Sequence, residues 1–122
     1  MGDAAGDQSL PRPQRLKNSK DFKSVFRERC KTAARYGAFH IRANGLGYAR
    51  LGITVSRKVS RRAVQRNRIK RAVREYFRAN KASMNDFDIV FTAFPGCAEL
   101  DNRDIRKVLE GLWRRTAGRC VH

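Results

Sequence analysis

The chain has 122 residues, enough for one domain with one core, and its 28 lysines and arginines against 11 acids give a formal net charge of +17 and a pI near 11.2. Such a balance points to a polyanion partner, nucleic acid or an anionic membrane surface. No apolar run approaches the roughly 20 residues of a membrane span, and the opening Met1-Gly2-Asp3-Ala4-Ala5 lacks the basic-then-apolar order of a secretory signal, so a cytoplasmic protein with no membrane partner is expected. Cys30, Cys97 and Cys120 are widely spaced, and neither His40 nor His122 stands near one. The pattern argues against a zinc site and for reduced thiols, with no disulfide-linked partner.

Residues 1–14 are polar, with Pro11 and Pro13, and read as a disordered or extended tail; residues 15–118 read as the folded domain. Arg15 to Arg27 reads as a short helix that Asn18 or Ser19 can cap. Its Phe22, Val25 and Phe26 fall at i, i+3 and i+4, a spacing that on periodicity alone indicates core. Residues 31–34 form a short extended piece. Gly37 to Arg42 alternates, with Phe39 and Ile41 on one face and His40 and Arg42 on the other. Asn44-Gly45-Leu46-Gly47 is a turn signal, and Arg50 to Ser56 alternates again with Leu51, Ile53 and Val55 on its apolar side. The two strands are expected to pair as an antiparallel hairpin. Their other face, with His40, Arg42, Arg50, Gly52, Thr54 and Ser56, is small, polar or basic and is expected to be wet.

The next stretch is the most unusual. Arg57, Lys58, Arg61, Arg62, Arg66, Arg68, Lys70, Arg71 and Arg74 follow one another with no acid between them. A helix over about residues 60–79, with Ser60 as its N-cap, puts Ile69, Val73, Tyr76 and Phe77 on one side. Asn67, Lys70, Arg71, Arg74 and Arg78 fall on the other. An ordinary surface helix mixes signs to gain i,i+4 pairs; this many unpaired cations repel one another unless a polyanion neutralises them. Asp86 to Phe94 then reads as a central strand, apolar on both faces and stopped by Pro95-Gly96. Asp101 caps a last helix whose Ile105, Val108, Leu109, Leu112 and Trp113 make a core stripe. The sum is an α/β two-layer sandwich, with two long helices on one face of a small sheet and the first helix flanking an open face. That open face beside a cationic helix would suit a single strand of nucleic acid.

The block Leu51-Gly52-Ile53-Thr54-Val55-Ser56-Arg57-Lys58, followed by Arg66-Asn67-Arg68-Ile69-Lys70-Arg71, resembles the signature of the bacterial ribonuclease P protein subunit. Arg15-Leu16 with Asp21-Phe22 and Val25-Phe26 resembles that family's first helix, and Phe87-Asp88-Ile89-Val90 its last strand, so the resemblance covers about residues 12–115. It implies an αβββαβα topology with a left-handed βαβ crossover, against the general right-handed preference. It implies a part in endonucleolytic removal of the 5′ leader of precursor tRNA. The ribonuclease P RNA would be the catalyst, with Mg²⁺ bound mainly by that RNA, and the protein would be a non-catalytic subunit. Arg66, Asn67, Arg68, Lys70, Arg71 and Arg74 would contact the catalytic RNA. Phe22, Phe26, Ser56, Arg57 and Lys58 would line or border the leader-binding groove. One departure is Arg42, at a strand position often aromatic in relatives.

The residues themselves offer no catalytic constellation. Asp21, Glu28, Glu75, Asp86, Asp88, Glu99, Asp101, Asp104 and Glu110 are scattered, several at helix starts, whereas a two-metal nuclease needs carboxylates converging on ions about 4 Å apart. A structural or ribosomal-type RNA-binding protein shares the charge and size and is the alternative reading. A DNA-binding module is disfavoured because the exposed helix face has few short polar readers besides Asn67.

Overall fold

The computed structural model describes residues 15–16, 19–27 and 30–120; the expected tail, the cap at Asn18 and the terminal His122 lie outside the described residues. The elements are α1 (Ser19–Arg27), β1 (Cys30–Ala33), β2 (Gly37–Ala43), β3 (Arg50–Thr54), α2 (Ala63–Asn80), β4 (Phe87–Ala93) and α3 (Asn102–Cys120), with 3₁₀ turns at Lys81–Met84 and Cys97–Glu99. Their order is αβββαβα, as the resemblance implies.

The sheet runs β1-β2-β4-β3. β4 lies antiparallel to β2 and parallel to β3, so the expected β2–β3 hairpin does not form: β4 is inserted between the two strands. The reason is the two-sided apolar run of β4. Ile89, Val90 and Phe91 are all fully buried, and a strand apolar on both faces is stable only where layers cover both. The glycines of the 44–49 loop serve a different turn from a two-residue hairpin. Gly45 and Gly47 take φ of 66° and 83°, which lets the Gly47 N–H donate to the Asp86 carboxylate while the Asn44 N–H reaches the Asp86 carbonyl at 2.8 Å. The loop is thus tied to the start of β4.

One face of the sheet carries Phe39, Ile41, Leu51, Ile89 and Phe91, packed against Ile69, Val73, Tyr76 and Phe77 of α2 and Ile105, Leu109, Leu112 and Trp113 of α3. The Phe39 ring stands edge-on to Phe91 and Trp113, with centroids 5.6 and 6.4 Å away. α3 begins as expected: Asp101 Oδ1 accepts the Asp104 N–H at 2.8 Å. α2 does not. Arg62 holds its N-cap with no side-chain bond, and Ser60 Oγ accepts the Arg62 N–H at 3.2 Å outside the helix.

The second face is not left open. α1 lies across it, burying Val25 with Leu16 and Val90 and half-burying Phe22. Gly52 makes this approach possible, because a Cβ there would stand 2.7 Å from Phe22 Cζ. The first helix is also shorter than expected. β3 is an edge strand, and Arg15 and Leu16 pair with it in parallel, the Leu16 N–H donating to the Leu51 carbonyl at 2.9 Å. Cys97 is a buried free thiol, but Cys30 is disulfide-bonded, so the expectation of reduced thiols fails at Cys30.

Among the scattered acids, Asp88 proves to be fully buried in β4. Its Oδ1 accepts bonds from Asn44 Nδ2 and Arg50 Nε, both at 2.8 Å, and its Oδ2 one from Arg50 Nη2 at 2.7 Å, with Arg42 Nε 3.4 Å away. This fork joins β2, β3 and β4 at one end of the sheet. Burial by itself raises the Asp88 pKa, but the bonds from Arg50 and Asn44 and the charges of Arg50 and Arg42 outweigh it and hold the carboxyl below its ordinary 3.8. A carboxyl acidified by folding adds stability above the unfolded pKa and loses it as pH falls through the folded one. Asp88→Asn is therefore expected to destabilise the protein by about 2–4 kcal/mol in urea unfolding at pH 7. That is less than for a sealed pair, because the Arg50 and Arg42 side chains keep 20% and 30% exposure. The variant's acid destabilisation below pH 3.8 should be shallower than that of the parent; parallel curves would contradict this role for Asp88.

Candidate nucleic-acid interface

α2 turns its apolar stripe into the core, which leaves its basic residues on two flanks and an outer edge. On the flank facing β3, Lys70 and Arg74 line a hollow of about 210 Å³ with Arg15, Phe22, Gly52 and Ile53. Arg15 Nε is buried there with no hydrogen-bond partner. Burial, then the neighbouring charges of Arg15 and Arg71, lower the pKa of Arg74. These cations crowd one another, and among the described residues no acid lines the hollow, an arrangement that an incoming anion would relieve.

The Arg66-Asn67-Arg68 triplet is divided in its use. Arg66 Nη1 donates to the carbonyls of Ser60 and Arg61, each at 3.0 Å, and so folds the 56–62 loop back onto the helix. Arg68 reaches across to the start of α3. Its Nε donates to Gln65 Oε1, its Nη1 to Asn102 Oδ1 and its Nη2 to the Ala98 carbonyl, all at 3.0 Å. Both arginines therefore have intramolecular partners. Asn67 and Arg71 are exposed, and among the described residues neither they nor Lys70 and Arg74 have a side-chain hydrogen bond or an ion pair.

On the second sheet face, Phe26 is 40% exposed. Its ring stands edge-on to His40 at 4.6 Å and 6.5 Å from Phe22. Burial, then the charge of Lys31, lowers the His40 pKa from its ordinary 6.5. Thr54 and Thr92 share a 3.0 Å hydroxyl bond on the same face. Ser56, Arg57 and Lys58 follow the end of β3, all exposed. The structure thus joins Phe22 to Lys70 and Arg74 around one hollow, with Phe26 next to Phe22 on the same helix. Periodicity alone makes all three α1 residues core; only Val25 is fully so.

Arg15 belongs to the cationic cluster, although nothing in its local sequence marks it. The i,i+4 spacing of Lys70 and Arg74 is visible in the chain, but the bridge that brings Arg15 to β3 is tertiary. The role of Arg68 as an internal tie is likewise set by tertiary partners. Among the described residues, no group of three or more His, Cys, Asp and Glu could hold a metal ion, and no helix is long and apolar enough to cross a membrane.

The internal bonds of Arg68 predict a separation between neighbours. Arg68→Ala should lose about 1–3 kcal/mol in urea unfolding, as for hydrogen bonds from a charged donor, whereas Arg71→Ala should stay within about 0.5 kcal/mol of the parent. Equal stabilities for the two variants would contradict the assignment.

A family model described as Ribonuclease P matches residues 10–117. A ribonuclease P protein component of Proteus mirabilis is 40% identical over 107 residues, which is 88% of this chain and 90% of that one. Among solved structures, the ribonuclease P protein of Staphylococcus aureus at 2.0 Å superposes with a TM-score of 0.78 at 31% identity, covering 83% of this chain and 93% of that one. The ribonuclease P protein from Thermotoga maritima, in complex with 1-(4-fluorophenyl)-2-thiourea, gives 0.75 at 39% identity, covering 83% and 98%.

Proposed function

Because the chain belongs to the ribonuclease P protein family, and is the protein component of an RNA-processing ribonucleoprotein, we propose that it binds the catalytic RNA through α2 and holds the 5′ leader of precursor tRNA on the α1 face of the sheet. The RNA carries out the cleavage that leaves the mature tRNA 5′ end, and the complex works in the cytoplasm. Residues 15–118 act as one RNA-binding unit. The observation that carries this reading is the placing of unpaired cations beside an accessible aromatic ring. Lys70, Arg74 and Arg15 surround the hollow that Phe22 lines, and Phe26 stands exposed next to Phe22.

Each group has a physical task. Lys70, Arg71 and Arg74 neutralise phosphates and lower the repulsion between the leader and the catalytic RNA, which makes binding steeply salt-dependent. Asn67 adds a neutral hydrogen-bonding group on the same helix. Arg66 and Arg68 support the site by fixing the loop before α2 and the start of α3, as their internal bonds indicate. Phe26, and Phe22 beneath it, offer a face on which leader bases stack, worth about 1–3 kcal/mol per base. Ser56, Arg57 and Lys58 border the track. Among the described residues no three His, Cys, Asp or Glu side chains come together to hold a metal ion, and Mg²⁺ is taken as a partner of the RNA.

Phe26→Ala tests the leader assignment. Phe26 lies outside both cores, so the variant should fold like the parent and lose about 1–3 kcal/mol of affinity for precursor tRNA with a 5′ leader, with no loss for leaderless tRNA. Phe22→Ala should show the same selectivity together with reduced stability, because Phe22 covers Gly52. An equal loss for leadered and leaderless tRNA would overturn the leader assignment.

A further inference from the structure

The other flank of α2 has a feature that leader binding does not use. A groove of about 810 Å³ runs between α2 and α3, and an adjoining hollow of about 420 Å³ extends it toward the start of α2. The two share Ala72, Glu75 and Asn102. The groove's width is set by two cross-links within the protein. Arg68 ties α2 to Ala98 and Asn102 at one end, and the Tyr76 hydroxyl donates to Glu110 Oε1 at 2.7 Å further along.

The walls are cationic. Arg71 and Arg78 come from α2, and Arg106 and Lys107 from α3. All four are exposed, and none has an ion-pair partner among the described residues. Two acids also line the groove. Glu110 is already engaged, by Tyr76 and by Arg114 Nε at 3.1 Å. Glu75 is the one carboxylate left against four cations. The acid-free block seen in the sequence ends at Arg74, so the contribution of α3 to a shared cationic wall could not be read from the chain.

We propose that the α2–α3 groove is a second RNA-binding surface, on the opposite flank of α2 from the Phe22 hollow, and that it takes the phosphate backbone of the folded catalytic RNA through Arg71, Arg78, Arg106 and Lys107. This rests on the ribonuclease P reading and adds α3 to the interface. The choice of occupant follows from the lining. Single strands are held by charge together with stacking rings, but the one aromatic side chain here, Tyr76, is buried with its hydroxyl bonded. A groove with guanidinium and ammonium groups on both walls, and no platform for bases, suits RNA whose bases are already paired and whose phosphates face outward. Its fixed width lowers the ordering needed on binding. The basic helix then serves two partners at once, one on each flank.

Charge reversal tests this. The double variant R106E/K107E changes two exposed α3 residues away from the leader track; R35E/R115E makes the same charge change outside the groove, at the β1–β2 turn and further along α3. With a ribonuclease P RNA, R106E/K107E is expected to raise the Kd at least tenfold at physiological salt and to flatten the slope of log K against log salt by about 2. R35E/R115E should change the Kd less than threefold. The ratio of affinities for leadered and leaderless precursor tRNA, measured with saturating catalytic RNA, should not move in either variant. Equal weakening by the two variants, or a normal Kd for R106E/K107E, would overturn the groove assignment, as would loss of the leader ratio with an unchanged Kd. A second readout needs no variant. Acetylation of Lys107 in the parent protein should slow at least fivefold when the catalytic RNA is bound, and not when a leader oligonucleotide is added; unchanged reactivity with the RNA bound would overturn the proposal. Failure of the parent protein itself to bind ribonuclease P RNA better than an unrelated chain of equal charge would instead strike the family reading.

Discussion

The structure depends on a central strand that must be covered on both faces. β4 alternates Ile89 and Phe91 toward one layer with Asp88, Val90 and Thr92 toward the other, and its residues 88–91 are buried throughout. The first layer is supplied by α2 and α3, the second by α1. That requirement explains why β3 and β2 are parted, why α1 crosses a face that otherwise reads as polar, and why Gly52 lies under Phe22. The buried Asp88 is the polar counterpart of the same constraint. A carboxylate buried in a central strand is tolerable only with strong partners on it: Arg50 and Asn44 donate hydrogen bonds and Arg42 adds an ion pair, all from the strands and loop on either side. The fork therefore helps fix which strands lie next to β4.

The same packing decides what the basic helix presents. Its apolar stripe is pinned by β3 and α3, so its cations are sorted by geometry rather than scattered. Arg66 and Arg68 turn back onto the protein and act as struts. Lys70 and Arg74 converge with Arg15 on the sheet side. Arg71 and Arg78 face the side shared with α3. Burial first, and then the charges of Arg15 and Arg71, lower the Arg74 pKa, and the mutual repulsion of these clustered cations is an electrostatic source of affinity for a polyanion. A helix fixed in this way presents its charges with little left to order on binding, which favours affinity.

Much of this was legible in the chain because it is local. The α2 and α3 stripes, the Asp101 cap, the alternating faces of β2 and β3 and the central character of β4 all follow from periods of 3.6 and 2. Strand order was not legible. The glycine-rich Asn44–Gly47 segment resembles a hairpin turn, and only the competition of β4 for the centre shows otherwise. The α1 face misled for a similar reason. Arg42 and Arg50 read as solvated because their partner, Asp88, is far away in sequence. In the candidate site, the residue types were visible but their division of labour was not. Nothing in Arg66-Asn67-Arg68 says that both arginines point back to backbone carbonyls, since those carbonyls belong to the 60–61 bend and to Ala98. Arg15 joins the cluster through a strand-edge bridge, which has no sequence period at all.

Reconstitution addresses the central claim most directly. The purified chain is mixed with a bacterial ribonuclease P RNA at low Mg²⁺ and given precursor tRNA with a 5′ leader, and the appearance of the mature 5′ end is followed. The account predicts cleavage at that end only when both components are present. If the RNA works no better with this protein than with an unrelated chain of equal charge, the cationic helix is a general polyanion binder and the central claim fails.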